Sequence, residues 1–169
     1  EGQEKLKNWV SAGGTLVAME DAVQYLSRNG FTNVLFKKDA WVDDSTVSRP
    51  YVSRSDDRRA LDMPGSIFEA TLDLTHPIAY GYTQPNISLF KSNTLFMDRN
   101  NSPYTTPVQF TANPLQAGYL HRRFAPLGPN AAAVNITALG RGRIISMTEN
   151  PNFRAFWFGT NRLLMNAIF

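Results

Sequence analysis

Apolar positions at the start of the chain recur at helical spacing. Leu6, Trp9 and Val10 share one side of residues 1–11, while Glu1, Glu4, Lys5 and Lys7 lie mostly elsewhere, which predicts a helix. Gly13-Gly14 ends it, because glycine accepts left-handed geometry at a helix C-terminus. Thr15-Leu-Val-Ala-Met19 then reads as a short strand buried on both faces. Glu20 and Asp21 follow at once as acids suited to a helix start. Ala22, Val23, Tyr25 and Leu26 keep helical spacing until Asn29-Gly30. Helix, strand, helix with tight junctions is the rhythm of an α/β sheet, and a doubly wound sheet places earlier strands before this unit. The expectation is an α/β domain truncated at its N-terminus. Its small parallel sheet should have an exposed or dimer-covered edge beside Thr15–Met19.

The pattern changes at Lys37. Residues 37–60 carry 11 of the 31 formal charges, mixed in sign, and read as a long surface loop. From Pro64 to Phe124 short β-type runs alternate with turns. Ser66–Leu72 alternates cleanly, and Ile87–Met97, Val108–Thr111 and Gly118–Leu120 read as further strands, with Pro77, Pro85, Pro103, Pro107 and Pro114 between runs. Ala131–Thr137 and Arg143–Thr148 flank Leu139-Gly-Arg-Gly142, whose two glycines suit positive backbone angles and a hairpin. Thr160–Phe169 reads as a terminal helix with Leu163, Leu164, Ala167 and Ile168 as its stripe and Thr160 as its cap. The organisation is one domain: a helix–strand–helix unit (1–36), a charged loop (37–63), a β-rich insertion (64–127), and a hairpin with a terminal helix (128–169).

At 169 residues, with 43% hydrophobic and 18% charged, the chain supports a full core without staples and is no disordered tail. No apolar run is long enough to span a membrane. The lack of cysteine excludes disulfides, thiolate metal sites and a cysteine nucleophile, and His76 and His121 are the only histidines. The net charge of +3 is too small to indicate a nucleic-acid partner. From Leu115 onward, however, Arg122, Arg123, Arg141, Arg143, Arg154 and Arg162 face a single acid, Glu149. That bias suits a solvated face with buried bidentate ion pairs, or else a face that meets phosphate or an acidic partner domain.

Motif chemistry is sparse. There is no Gly-x-Ser-x-Gly elbow, and neither histidine begins a His-x-x-Glu or His-x-x-x-His pair. Asp43-Asp44 and Asp56-Asp57 are acidic pairs without calcium-ligand spacing. Thr75-His76-Pro77 reads as a turn cap in which His76 makes one local hydrogen bond. The densest cluster of unusual residues is Thr148–Arg162, a polar stretch after a buried strand, where open α/β sheets place ligands. Glu149, Asn150, Asn152, Arg154, Trp157 and Arg162 are its candidates for ligand or interface contact. The competing reading is that Asn and Glu satisfy backbone groups while Phe153, Phe156, Trp157 and Phe158 fill core or an inter-domain contact. A carbohydrate- or envelope-binding module using Trp41 and Trp157 is a third alternative.

Several pieces together resemble the C-terminal domain of bacterial zinc carboxypeptidase-like proteins, a domain related to class I glutamine amidotransferases. They are Leu6-Lys-Asn-Trp-Val-Ser-Ala-Gly-Gly-Thr-Leu-Val-Ala18, Pro64-Gly-Ser-Ile-Phe-Glu69, Thr75-His-Pro-Ile-Ala-Tyr-Gly81, Gly140-Arg-Gly-Arg-Ile-Ile145 and Asn150-Pro-Asn-Phe-Arg-Ala-Phe-Trp-Phe-Gly-Thr-Asn-Arg-Leu163. The resemblance implies a flavodoxin-like, three-layer amidotransferase-like sheet. It also implies a secreted or periplasmic metallocarboxypeptidase whose separate catalytic domain carries zinc and is this domain's partner. A homo-oligomer is also compatible with it. The zinc ligands of that catalytic domain have no counterpart here, so no cofactor is expected in this chain. In amidotransferase relatives a cysteine attacks glutamine and a His-Pro-Glu segment supplies the base. This chain has no cysteine, and Thr148-Glu-Asn-Pro151 stands about where that segment falls. The expectation is a non-catalytic accessory domain; the alternative is a small-ligand-binding or enzymatic domain with a polar site at Glu149.

Overall fold

The structure, a computed structural model, describes residues 1–41 and 46–169. Its architecture is mixed α/β: helix α1 (Gly2–Ser11), strand β1 (Thr15–Met19), helix α2 (Asp21–Arg28), helix α3 (Arg54–Arg59), strands β2 (Ser66–Leu72), β3 (Asn86–Lys91), β4 (Val108–Gly118), β5 (Ala132–Leu139) and β6 (Gly142–Met147), and helix α4 (Asn161–Ile168). The strands form one six-stranded sheet in the order β1-β6-β5-β4-β2-β3. β1 is its edge strand, as the opening pattern predicts. The expected parallel sheet is reduced to one pair, β1 with β6, and every other pairing is antiparallel. The short connections explain this: β5 and β6 are joined by a two-residue turn, and a parallel return needs a crossover of a dozen or more residues. The β-rich stretch supplies β2, β3 and β4 of the same sheet.

Apolar side chains fill both faces. Val10 of α1 and Val23 and Leu26 of α2 pack with Ala18 and Ile144 on one face. On the other, Leu163 and Ala167 of α4 join Ile145, Met147, Phe68 and Phe110. Only part of the predicted α4 stripe is covered, since Ile168 remains 58% exposed.

Several local expectations change. β3 ends at Lys91 instead of running to Met97, which makes isolated bridges to Phe36 and Ala132. The run at Val108–Thr111 continues to Gly118 as one strand, β4, with Pro114 inside it, and of the expected Gly118–Leu120 strand only Gly118 is in the sheet. Proline is tolerated there because β4 pairs with β5 only at Val108 and Gln109, and the β2–β4 register shifts beside it. The charged loop holds a 3-10 turn (Tyr51–Ser53) and α3. Of the acidic pairs, Asp43-Asp44 lies outside the described residues, and Asp57 on α3 pairs with Arg49 at 3.5 Å. Gly140 has the positive φ (62°) expected of the hairpin turn, but Gly142 does not. Gly142 is instead pressed against the Val10 and Gly14 carbonyls, where α1 abuts the start of β6. Thr160 precedes α4 but caps nothing with its side chain, because its hydroxyl donates to the Pro151 carbonyl at 2.5 Å.

His76 does cap a turn: its Nδ1 accepts from the Ile78 N–H at 3.1 Å at the start of the 3-10 turn Pro77–Ala79. Burial holds its pKa below the ordinary histidine value, against the pull of Asp73. The unfolded chain therefore takes up the proton first as pH falls. Stability from His76 is present above the ordinary histidine range and is lost as pH drops through it toward the lowered folded value. Urea melts from pH 7.5 to 5 should show this loss, and His76→Asn, which keeps an acceptor at the cap, should flatten it.

Candidate functional site

β1 and β6 run in register, Met19 beside Met147, so the residues that follow them emerge together at one end of the sheet. After β1 the chain turns in a single residue. Glu20 has φ 53° and ψ −128°, its N–H donates to the Met147 carbonyl at 3.0 Å, and α2 begins at Asp21. A non-glycine residue in this region carries about 1–3 kcal/mol of strain. Strand, strained residue, helix is the backbone form on which α/β hydrolytic enzymes mount a nucleophile. The Gly-x-Ser-x-Gly motif is absent, yet the elbow is present and displays a carboxylate. Sequence reasoning missed Glu20; the one signal was the lack of any loop between Met19 and Asp21. Replacing Glu20 by glycine removes the strain at some cost in chain entropy, so a thermal melt should show a net gain of about 1 kcal/mol.

After β6 comes Thr148, whose N–H donates to the Ala133 carbonyl, and then Glu149, which is only 4% exposed. Its partner is Lys91 from the end of β3, fully buried, whose Nζ donates to Glu149 Oε1 at 2.6 Å, the Leu95 carbonyl at 2.7 Å and Asn93 Oδ1 at 3.0 Å. The ammonium's three hydrogens are thereby matched, and the Phe96 ring lies 4.4 Å away. Asn93 ties the pair to the sheet by donating to the Thr148 carbonyl at 2.7 Å. Burial pushes the Lys91 pKa down and the Glu149 pKa up, while each partner's charge pulls back. The Glu20 charge acts on both groups.

The other predicted site residues part company with Glu149. Asn150 Oδ1 accepts from the Asn152 N–H at 3.0 Å, closing a turn, and Asn152 Oδ1 is buried without a hydrogen-bond partner. Arg154 is exposed at φ 49°, with its guanidinium over the Phe153 ring. Trp157 is half-buried, its Nε1 donating to the Ser88 carbonyl on the free edge of β3 at 3.0 Å. Arg162 donates to the Gly81 carbonyl. Trp157 and Arg162 line a groove of about 560 Å³ with Tyr82, Asn86 and Phe158. Phe153 stacks on Phe90 with 4.3 Å between ring centroids, whereas Phe156 and Phe158 are 52% and 73% exposed. The cluster is thus surface aromatics on a β-edge more than core. Trp41 is half-buried against His121, with the Arg122 guanidinium over its ring.

A larger groove, about 870 Å³, lies between Val34–Trp41 and Arg123–Leu127, and the Asp39–Arg123 ion pair is part of its wall. Sequence reasoning did not single it out. Among the described residues no three His, Asp or Glu side chains converge as a metal cluster. His76 and His121 each use Nδ1 to accept a backbone N–H. No helix among the described residues is long and apolar enough to cross a membrane.

No protein-family model matches this chain, and no curated protein matches its sequence.

Proposed function

We propose that this chain is a non-catalytic accessory domain whose α1–β1–α2 unit and parallel β1–β6 pair are its amidotransferase-like, flavodoxin-type part, serving a secreted or periplasmic zinc carboxypeptidase-like enzyme. The observation that carries the non-catalytic part is the chemistry at the ends of β1 and β6. The elbow holds Glu20, with neither thiol nor hydroxyl, and Glu149, where a base is needed, is buried and bonded to Lys91 at 2.6 Å. A carboxylate locked in such a pair is not free to take a proton from a nucleophile. The zinc-dependent chemistry is assigned to the catalytic domain, because the two histidines here sit in separate turns and are bonded to backbone.

Docking is assigned to the exposed Phe156 and Phe158 with Arg154 and Arg162. Aromatic and arginine side chains are the ones that most often carry interface energy. The one acid in the last third is buried, so the surface charge of that segment is positive. An acidic face on the catalytic domain is the complement.

The test is metal analysis of the purified chain together with carboxypeptidase and glutaminase assays, with and without added zinc. The expected result is no stoichiometric zinc and no hydrolysis. Zinc-dependent release of C-terminal residues, or glutamine hydrolysis lost in Glu20→Gln, would place catalysis in this chain and overturn the proposal.

A further inference from the structure

We propose that the pocket between α3 and the turn at His121 binds a phosphate group, carried as the free ion or as a small monoester. The pocket shares no lining residue with the groove at Trp157 and contains neither Glu20 nor Glu149. Its volume is about 460 Å³, within the size range of small-molecule sites. Trp41, Arg49, Asp57, Arg58, His121 and Arg122 line it, so distant parts of the chain converge there. Tyr119 ties two of those parts together, its hydroxyl donating to the Ala60 carbonyl just after α3 at 2.9 Å.

The charges in this lining do not balance. Three guanidinium groups meet one carboxylate, Asp57, among the described residues. Asp57 is already engaged, 3.5 Å from Arg49. Arg58 and Arg122 have no carboxylate within ion-pair distance among the described residues. The excess is two positive charges, which matches the charge of about −1.5 to −2 that a phosphate monoester carries near neutrality. A single carboxylate ligand would leave one of the two arginines unanswered.

Hydrogen-bonding capacity points the same way. Arginine donates and accepts nothing, so the uncompensated groups call for oxygen acceptors. The Arg122 guanidinium lies over the Trp41 ring, 4.8 Å from its centroid, which positions it without a hydrogen-bond acceptor. His121 Nδ1 accepts the Arg123 N–H at 3.1 Å, so the neutral ring carries its proton on Nε2 and offers one more donor. A phosphate group supplies three acceptor oxygens and bonds bidentately to arginine. Leu61 adds an apolar part of the lining, against which the organic portion of an ester can pack. The selection of arginines is also specific: Arg59 follows Arg58 on the same helix but does not line the pocket.

Inorganic phosphate, phenyl phosphate and benzoate are titrated into the chain at fixed ionic strength, followed by calorimetry and by the histidine imidazole resonances. Both phosphates should bind saturably at one site and shift His121 more than His76. Tighter binding of phenyl phosphate would identify an ester as the ligand, and equal binding the free ion. Arg58→Gln and Arg122→Gln should each weaken binding about tenfold or more, the loss expected for a charge-assisted hydrogen bond. Arg59→Gln should leave it unchanged. All three side chains are exposed, so the variants should fold, and thermal melts check that they do. Absence of saturable phosphate binding overturns the proposal. So does benzoate binding as tightly as the phosphates, or Arg59→Gln weakening binding as much as Arg58→Gln, since either result means general surface charge.

Discussion

Replacing Lys91 by methionine is expected to cost about 3–5 kcal/mol of folding stability, because it leaves the Glu149 carboxylate buried without its cation. For a domain whose total stability is on the order of 5–15 kcal/mol, that is a large share. The size of the loss should depend on pH, and the sign follows from Glu149. Burial already raises its folded pKa above the ordinary carboxylate value, and loss of Lys91 removes the charge that holds it down. A group with a raised folded pKa contributes stability below its unfolded pKa and loses it as pH rises through the folded one. Lys91→Met should therefore be least damaging in acid and progressively worse as pH climbs above the ordinary carboxylate range. The double variant Lys91→Met with Glu149→Leu should recover most of the loss, since apolar replacement of both members of a buried pair is often near neutral. Urea denaturation of the two single variants and the double closes the cycle. A double variant as unstable as the sum of the singles would mean that the two residues do not act as a pair.

Gly142→Ala should be comparably damaging for a steric reason. A Cβ at Gly142 would meet the Val10 and Gly14 carbonyl oxygens, which are backbone atoms on either side of the α1–β1 turn and cannot rotate away. Val10 is fully buried, and α1 is tied to the hairpin by the Arg141 N–H bonding to the Ser11 carbonyl at 2.9 Å. Making room means lifting α1 off the sheet, at about 3 kcal/mol or more. Gly159→Ala is the control, because a Cβ there meets nothing within 4 Å. Thermal melts should separate the two variants by about 6–12 °C or more, or by outright failure of Gly142→Ala to fold.

The local elements were readable because their causes are local. Ser66–Leu72 alternates in sequence and alternates in burial, and the spacing of Val23 and Leu26 places both on the buried side of α2. The cap at His76 could be read from Thr75-His76-Pro77 for the same reason, since its bond spans two residues. Errors came where a neighbour distant in sequence decides the outcome. Pro114 breaks strands in general, but whether it breaks β4 depends on β5 stopping short of it. The second hairpin glycine looked like a turn requirement, and its actual constraint is the approach of α1.

The candidate site divides along the same line. Glu149 and the aromatic run were visible as unusual residues after a buried strand, which is a matter of composition and position. Their roles were not visible. The partner of Glu149 lies 58 residues earlier, at the end of a strand on the far side of the sheet, and nothing around Lys91 in the chain marks it as a buried ammonium. Glu20 carried no motif, because its backbone conformation is imposed by the bond to Met147 and by the start of α2 one residue later. By itself the sequence determined α1, β1, α2, β2, the β5–β6 hairpin and α4, that β1 lies at a sheet edge, and that thiol chemistry is absent. Tertiary structure alone decided strand direction, the Lys91–Glu149 pair and the strained elbow. Each of these is a contact between segments that share no local pattern, and its free energy exists only once the sheet has brought them together.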